Sequence, residues 1–200
     1  MIAVLDYGIG NLRSAEKAMQ CVGGDALLTD DVQMASEADG VVLPGVGAFG
    51  RCMEALTASG LDKVVIAAAQ HGTPLLGICV GMQMLYDGSD ENRGVAGLGV
   101  LPGTLHILPP GVKRPQMQWN RLDRVGESPL LAGLGAEPWV YFVHSYAAEM
   151  SRDVVATCDY GGTVVAAVAR GAVWATQFHP EKSGATGMRL LANFAARCRS

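Results

Sequence analysis

The chain has 200 residues, half of them apolar, which is enough to bury the core of a single domain. Its formal net charge of −4 and its pI of about 5.5 give no reason to expect a nucleic-acid partner. There is no run of about 18 uncharged apolar residues and no basic segment ahead of an apolar one at the amino terminus, so the sequence predicts neither a membrane span nor a secretory signal.

The cysteine content also restricts the class of protein. The chain contains five cysteines, an odd number, and no two of them are close in sequence: Cys21, Cys52, Cys79, Cys158 and Cys198. This spacing supports neither a disulfide framework nor a zinc site. We therefore expect a reduced, cytoplasmic protein with no metal and no cofactor.

In the first half of the chain, short apolar runs alternate with stretches of helical periodicity. Strands are predicted at residues 2–5, 26–28, 41–43 and 73–76. Helices are predicted at residues 12–22 (after Asn11 as the N-cap), 49–59 and 61–70. This alternation predicts an α/β fold built on an open, mostly parallel sheet with helices on both faces.

The second half has a different pattern. Residues 88–135 are rich in glycine and proline, which is typical of loops and short strands. Four successive strands are predicted further on, at residues 139–143, 154–157, 163–169 and 173–178. Their short connections favour antiparallel pairing, and a helix over residues 183–198 ends the chain. We find no linker, so residues 1–200 are predicted to form one domain.

Cys79 lies in a pattern that is typical of a nucleophile elbow. It follows a buried strand, has a glycine two residues away on each side, at Gly77 and Gly81, and precedes a helix-compatible stretch. Glycines allow the sharp turn that pushes the middle side chain out over the sheet. The thiol then faces a helix N-terminus, which favours the reactive thiolate. The alternative is a buried, inert cysteine at a tight corner.

A base for this thiol is offered by His179 and Glu181, which are separated by one proline at the end of an apolar run. In extended chain, residues two apart point the same way, so Glu181 is placed to orient the imidazole while the other ring nitrogen faces Cys79. The alternative is a solvated histidine in a surface loop. Of the other histidines, His106 has no motif around it, and His144 lies among aromatic residues typical of core packing.

The loop Pro44-Gly45-Val46-Gly47 follows a strand end, where parallel sheets place their ligand sites. The glycines on either side of Val46 allow its peptide to turn so that the N–H of Val46 meets a developing oxyanion. The N–H of Val80 is the second expected donor. The alternative is an ordinary turn between a strand and a helix.

In combination, these motifs make the sequence similar to the class I (triad) glutamine amidotransferases, which have a flavodoxin-like α/β fold. The resemblance rests on residues 77–83 and 177–181, and is narrowed by residues 6–14, 44–47, 141–146 and 182–184. These further motifs resemble glutaminase subunits that work with a cyclase subunit in histidine biosynthesis. The match runs from the first predicted strand to the last helix.

The resemblance implies L-glutamine as the substrate and a role for each matching residue. Cys79 attacks the side-chain amide, His179 acts as base and then as acid, Glu181 orients His179, and Val46 and Val80 form the oxyanion hole. The amino-acid end of glutamine is assigned to Gly45, Gly47, Gln83, Ser145 and Tyr146. The partner is implied to be a (β/α)₈-barrel cyclase subunit that forms a heterodimer and receives the ammonia, with contacts at Asn11, Trp119 and Lys182.

The chain departs from the family pattern at three positions. Gln116 and Gln118 replace a histidine and a glycine in a segment expected near the partner, and Val80 replaces a leucine whose backbone is the functional part. Three alternatives remain. A glutaminase of another synthase would share the motifs, and a thiol hydrolase or chaperone-like protein on a related fold commonly has histidine where Val80 stands. An inactive regulatory subunit should lack one of Cys79, His179 and Glu181.

Overall fold

The structure, a computed structural model, describes residues 1–10 and 12–199. Strands and helices alternate through its first half. The strands there are β1 (Ile2–Leu5), β2 (Ala26–Thr29), β3 (Gly40–Gly45) and β4 (Leu75–Cys79). The helices are α1 (Leu12–Cys21), α2 (Val32–Ser36), α3 (Phe49–Ser59), α4 (Leu61–His71) and α5 (Val80–Met84).

The second half consists mainly of strands and ends in a long helix. The strands are β5 (Gly88–Ser89), β6 (Thr104–Ile107), β7 (Gln116–Arg121), β8 (Asp123–Arg124), β9 (Trp139–His144), β10 (Tyr146–Ala148), β11 (Val154–Asp159), β12 (Thr163–Arg170) and β13 (Val173–Thr176). The helix is α6 (Gly184–Cys198), and single 3₁₀ turns occur at Asp90–Asn92, Pro129–Leu131 and Pro180–Lys182.

The central sheet has eight strands in the order β2-β1-β3-β4-β13-β12-β11-β8. The first five strands of this order, from β2 to β13, run parallel to one another, and the pairings from β13 to β8 are antiparallel. Strands β1, β3, β4 and β13 are buried along their whole length, as expected where helices cover both faces of a sheet. The predicted fold class is confirmed.

The register of the central strands positions the site. Gly45 at the end of β3 lies opposite Cys79 at the end of β4, and Thr176 at the end of β13 lies opposite Ile78. Since parallel strands end at one edge of the sheet, the segments that follow these three strands meet there. They carry the Pro44 loop, the Cys79 corner and His179.

One predicted pairing is wrong. Residues 139–143 were expected to continue the antiparallel series, but β9 pairs with β7 in a separate two-stranded sheet. Only β11, β12 and β13 follow each other antiparallel in the central sheet. The partner strand β7 comes from the glycine- and proline-rich segment, and a pairing across such a long loop leaves no local signal in the sequence.

Several element boundaries differ from the predicted ones for local reasons. Strand β4 begins at Leu75 because the Thr73 amide still closes α4 through Ala68 O, at 3.0 Å. Strand β13 ends at Thr176, whose hydroxyl donates to Phe178 O at 3.0 Å. Helix α2 was not predicted; it is a short helix capped by Asp31.

Candidate active site

The corner between β4 and α5 is tight and strained at Cys79. With φ of 54° and ψ of −112°, Cys79 is the one non-glycine residue of the described chain with a positive φ. A Cβ on Gly81 would lie 1.8 Å from Leu43 O, and one on Gly77 would lie 3.0 Å from the Met82 backbone. Both glycines are therefore required by close backbone approach, as in a nucleophile elbow.

His179 and Glu181 lie beside this corner. The Nδ1 atom of His179 is 2.7 Å from Glu181 Oε1, and both side chains are buried. The bond forms through the Pro180–Lys182 3₁₀ turn and not through the extended chain expected from the sequence. His179 and Cys79 line one cavity of about 260 Å³.

The charge state of His179 reflects its neighbours. Burial opposes the charged ring, but interactions with the thiol of Cys79 and the carboxylate of Glu181 outweigh it and raise the pKa of His179 from 6.5 to about 9. The Nε2 atom is buried and has no hydrogen-bond partner of ordinary geometry among the described residues.

This raised pKa predicts a pH-dependent contribution of His179 to stability. A shift from 6.5 to about 9 corresponds to about 3 kcal/mol, which is present below pH 6.5 and is lost as the pH rises through about 9. In urea unfolding, the free energy of unfolding of the wild type should exceed that of His179→Gln at pH 6.5, and most of this difference should be lost at pH 9. His71→Gln, at the exposed end of α4, controls for the loss of an imidazole. An equal difference at both pH values would contradict this assignment.

The Pro44 loop packs directly on the elbow. A Cβ on Gly45 would lie 2.8 Å from both Gly81 N and the Tyr7 hydroxyl, so this glycine lies beneath the cavity rather than in its lining. Two side chains donate hydrogen bonds to carbonyl oxygens of this loop: the Tyr7 hydroxyl to Pro44 O at 2.7 Å, and the Cys52 thiol to Val46 O at 3.4 Å. Burial raises the pKa of both groups, which keeps them protonated as donors.

The predicted oxyanion and substrate residues, except Gly45, converge on the cavity wall. These are Val46, Gly47, Val80, Gln83, Ser145 and Tyr146. The side chain of Gln83 is held by two bonds of its Nε2 atom, to Tyr146 O at 3.1 Å and to Gln177 Oε1 at 3.0 Å. Its position is thus set by the protein before any ligand binds.

Sequence reasoning missed four residues of the cavity wall, namely Glu91, Pro115, Val143 and His144. Glu91 is the one acidic side chain of that wall, and its Oε2 accepts from Phe49 N at 2.8 Å. Its turn is anchored by His106, which lies 2.7 Å from Asp90 Oδ2 and 2.6 Å from Glu149 Oε1. The short polar run around Glu91 has no motif that would have revealed it.

Two of the predicted partner residues, Trp119 and Lys182, lie outside the cavity lining. Trp119, on β7, is 48% exposed and packs edge-on against Tyr141 with ring centroids 6.3 Å apart. Lys182 is also exposed. Asn11 lies outside the described residues.

Within residues 1–10 and 12–199, no group of three or more His, Cys, Asp or Glu side chains is arranged to hold a metal ion. None of the helices described is both long and apolar enough to cross a bilayer.

A strained cysteine elbow, a buried His-Glu pair and a flanking glycine loop at one edge of a parallel sheet define a thiol-dependent acyl-transfer enzyme. The family model for class-I glutamine amidotransferases matches residues 4–198, and the chain belongs to that family. A solved structure described as a glutamine amidotransferase superposes with a TM-score of 0.78 over 100% of this chain and 99% of that chain, at 21% identity, which shows the fold.

Curated relatives are more similar in sequence. The chain is 47% identical to imidazole glycerol phosphate synthase subunit HisH of Bacillus cytotoxicus, over 97% of this chain and 93% of that protein. It is 50% identical to the subunit of the same name from Methanothermobacter thermautotrophicus, over 97% of each protein.

Proposed function

We propose that this chain is the glutaminase subunit of an imidazole glycerol phosphate synthase. The relatives at 47% and 50% identity support the assignment to that enzyme. The observation that carries the chemistry is the cavity lined by both Cys79, at the strained backbone corner, and His179, which is paired with the buried Glu181.

The reaction follows from the roles that these groups are placed to perform. The Cys79 thiolate attacks the carboxamide carbon of L-glutamine, and the N–H groups of Val46 and Val80 stabilise the oxyanion. Protonated His179, oriented by Glu181, gives its proton to the departing ammonia and leaves a γ-glutamyl thioester on Cys79. Neutral His179 then takes a proton from water, whose oxygen attacks the thioester; the C–S bond breaks, the Cys79 thiolate and protonated His179 are restored, and glutamate leaves after its new carboxyl group loses a proton to solvent. No cofactor or metal enters either step.

The cavity suits a free amino acid. Its volume of about 260 Å³ is below the usual range for drug-sized ligands. Gln83 and the backbone at Gly47, Ser145 and Tyr146 form its polar contacts in this proposal, whereas Gly45 supports the loop from beneath and is not part of the lining. The Glu91 carboxylate, on the same wall, is placed to receive the α-ammonium group, a role that opposite charge supports.

The proposed partner is a (β/α)₈-barrel cyclase subunit that binds the outer face of the β7–β9 sheet and receives the ammonia. Four side chains, Met117, Trp119, Trp139 and Tyr141, form this docking face; the first three of them are about half exposed or more. An exposed apolar face rich in aromatic side chains is typical of a protein interface. Lys182 and Asn11 complete the proposed contacts, and the five free cysteines support a reduced, cytoplasmic location.

Replacing Trp119 by alanine should weaken this interface. We expect the dissociation constant for the cyclase subunit to rise about 30-fold, since a tryptophan near the centre of an interface commonly contributes about 2 kcal/mol. Titration calorimetry with the purified cyclase measures the change. Met34→Ala, at an exposed position on α2, is the matched control. An unchanged dissociation constant for Trp119→Ala would remove the docking face from the proposal.

A further inference from the structure

A buried glutamine faces a buried histidine that forms part of the cavity wall. Gln116 begins β7, and its register partner His144 ends β9. Gln116 is fully buried, and the His144 Nε2 atom lies 2.9 Å from Gln116 Oε1. On the other side of the ring, His144 Nδ1 lies 2.9 Å from Tyr146 O. His144 thus connects the docking strand to a segment of the cavity wall.

The protonation of this pair follows from its surroundings. Burial, with a smaller contribution from the nearby charge of His179, lowers the pKa of His144 to about 4, so its ring is neutral and has one N–H. A carbonyl only accepts, so that N–H must be on Nδ1 and donate to Tyr146 O. Nε2 is then an acceptor and requires a donor from Gln116.

The Gln116 amide supplies this donor in one of its two orientations. Amide oxygen and nitrogen are interchangeable by a half turn, and hydrogen-bond partners decide which is present. As placed in the structure, Gln116 Oε1 faces His144 and Gln116 Nε2 lies 3.8 Å from Cys158 Sγ. The half turn exchanges them, so that the NH₂ group donates to His144 Nε2 and the amide oxygen faces Cys158. Burial raises the pKa of Cys158 to about 12, so this thiol is protonated and donates. Every donor and every acceptor in this series of hydrogen bonds, from Tyr146 O to the Cys158 thiol, then has a complementary partner.

We propose that Gln116 and His144 are positioning residues for the substrate: the Gln116 amide keeps the His144 proton on Nδ1, and that proton holds the Tyr146 carbonyl and the adjoining Ser145 backbone at the cavity wall. The same carbonyl accepts from Gln83, which bonds Gln177, whose amide lies 3.8 Å from the Cys79 thiol. A polar path therefore runs from the docking strand to the elbow.

Substitution of Gln116 tests the effect on substrate binding, which rests on the proposed function of the cavity. In the complex with saturating cyclase, Gln116→Leu should raise KM for glutamine about tenfold, the equivalent of one lost buried hydrogen bond, with kcat within about threefold. In Gln116→Glu the carboxylate, once ionised, can only accept, so it requires a doubly protonated His144, and KM should rise with pH as that proton is lost. Gln118 is exposed and lies on the same side of β7 as Gln116. The matched variants Gln118→Leu and Gln118→Glu should therefore retain the wild-type KM and pH profile.

The tautomer itself can be measured without any turnover. Long-range proton–nitrogen correlation spectra of ¹⁵N-histidine-labelled wild type at pH 7 should show a neutral His144 with its proton on Nδ1. A proton on Nε2, an imidazolium at pH 7, or an unchanged KM in Gln116→Leu would overturn the proposal. If instead the wild-type complex hydrolyses no glutamine while the Nδ1 tautomer is present, the proposed function fails and the Gln116–His144 hydrogen bond stands.

Discussion

Cys79→Ser should lower glutamine hydrolysis by at least about 10³-fold, because a serine hydroxyl beside His179 is far less nucleophilic than a thiolate. The elbow geometry should be unchanged, since serine is close in size and both flanking glycines remain. Steady-state glutaminase assays on the complex measure the loss. Ammonia-dependent synthesis by the same complex should continue at close to the wild-type rate, because that reaction bypasses the thiol.

The control for this prediction is another cysteine. Cys21→Ser, at an exposed position near the end of α1, should leave both activities unchanged. If an assembled Cys79→Ser complex lost ammonia-dependent synthesis as well, the thiol would have a role outside glutamine hydrolysis. If it retained glutamine hydrolysis, the nucleophile would have to be a different residue.

Gly81→Ala should be the most destabilising single methyl addition in the active-site region. Its Cβ would lie 1.8 Å from Leu43 O, a backbone atom of a fully buried strand that cannot move aside as a side-chain tip could. We expect the free energy of unfolding to fall by at least about 3 kcal/mol, the range for severe overpacking. Urea unfolding at fixed pH measures the change.

Gly94→Ala separates crowding from backbone strain. Gly94 has a φ of 96°, and a Cβ there would meet nothing within 4 Å, so only the conformational cost of about 1 kcal/mol applies. A Gly81→Ala variant within about 1 kcal/mol of Gly94→Ala would show that β3 and α5 can separate without cost. The tight elbow would then be dispensable for the fold.

The central sheet was largely predictable because its strands carry strong local signals. β1, β3 and β4 are short apolar runs that end in glycine or proline turns, and burial on both faces produces such runs. The pairing of β7 with β9 was not predictable. The strand that covers Gln116 and Trp119 is polar on alternate residues and lies within a segment whose glycines and prolines indicate loops.

The site divides in the same way. Cys79, His179 and Glu181 could be singled out because each lies in a short motif that ends or follows an apolar run, and the structure brings the His179–Glu181 pair to the cavity that Cys79 lines. Glu91 and His144 reach the cavity through long-range contacts that leave no local pattern. For Gln116, the sequence showed a departure from the family pattern. The proposed role of this residue depends on its hydrogen bond to His144, which connects two strands of a sheet that the sequence did not predict. That residues 1–200 form one domain stays a prediction.

Trapping the acyl-enzyme tests the central claim most directly. The complex is mixed with L-glutamine and the cyclase substrate, quenched in acid during steady turnover, digested and analysed by mass spectrometry. A γ-glutamyl adduct on the peptide that contains Cys79, absent from Cys79→Ser and present in Cys21→Ser, is the result we predict. An adduct that accumulates on another residue while Cys79 stays unmodified would contradict the assignment of Cys79 as the nucleophile.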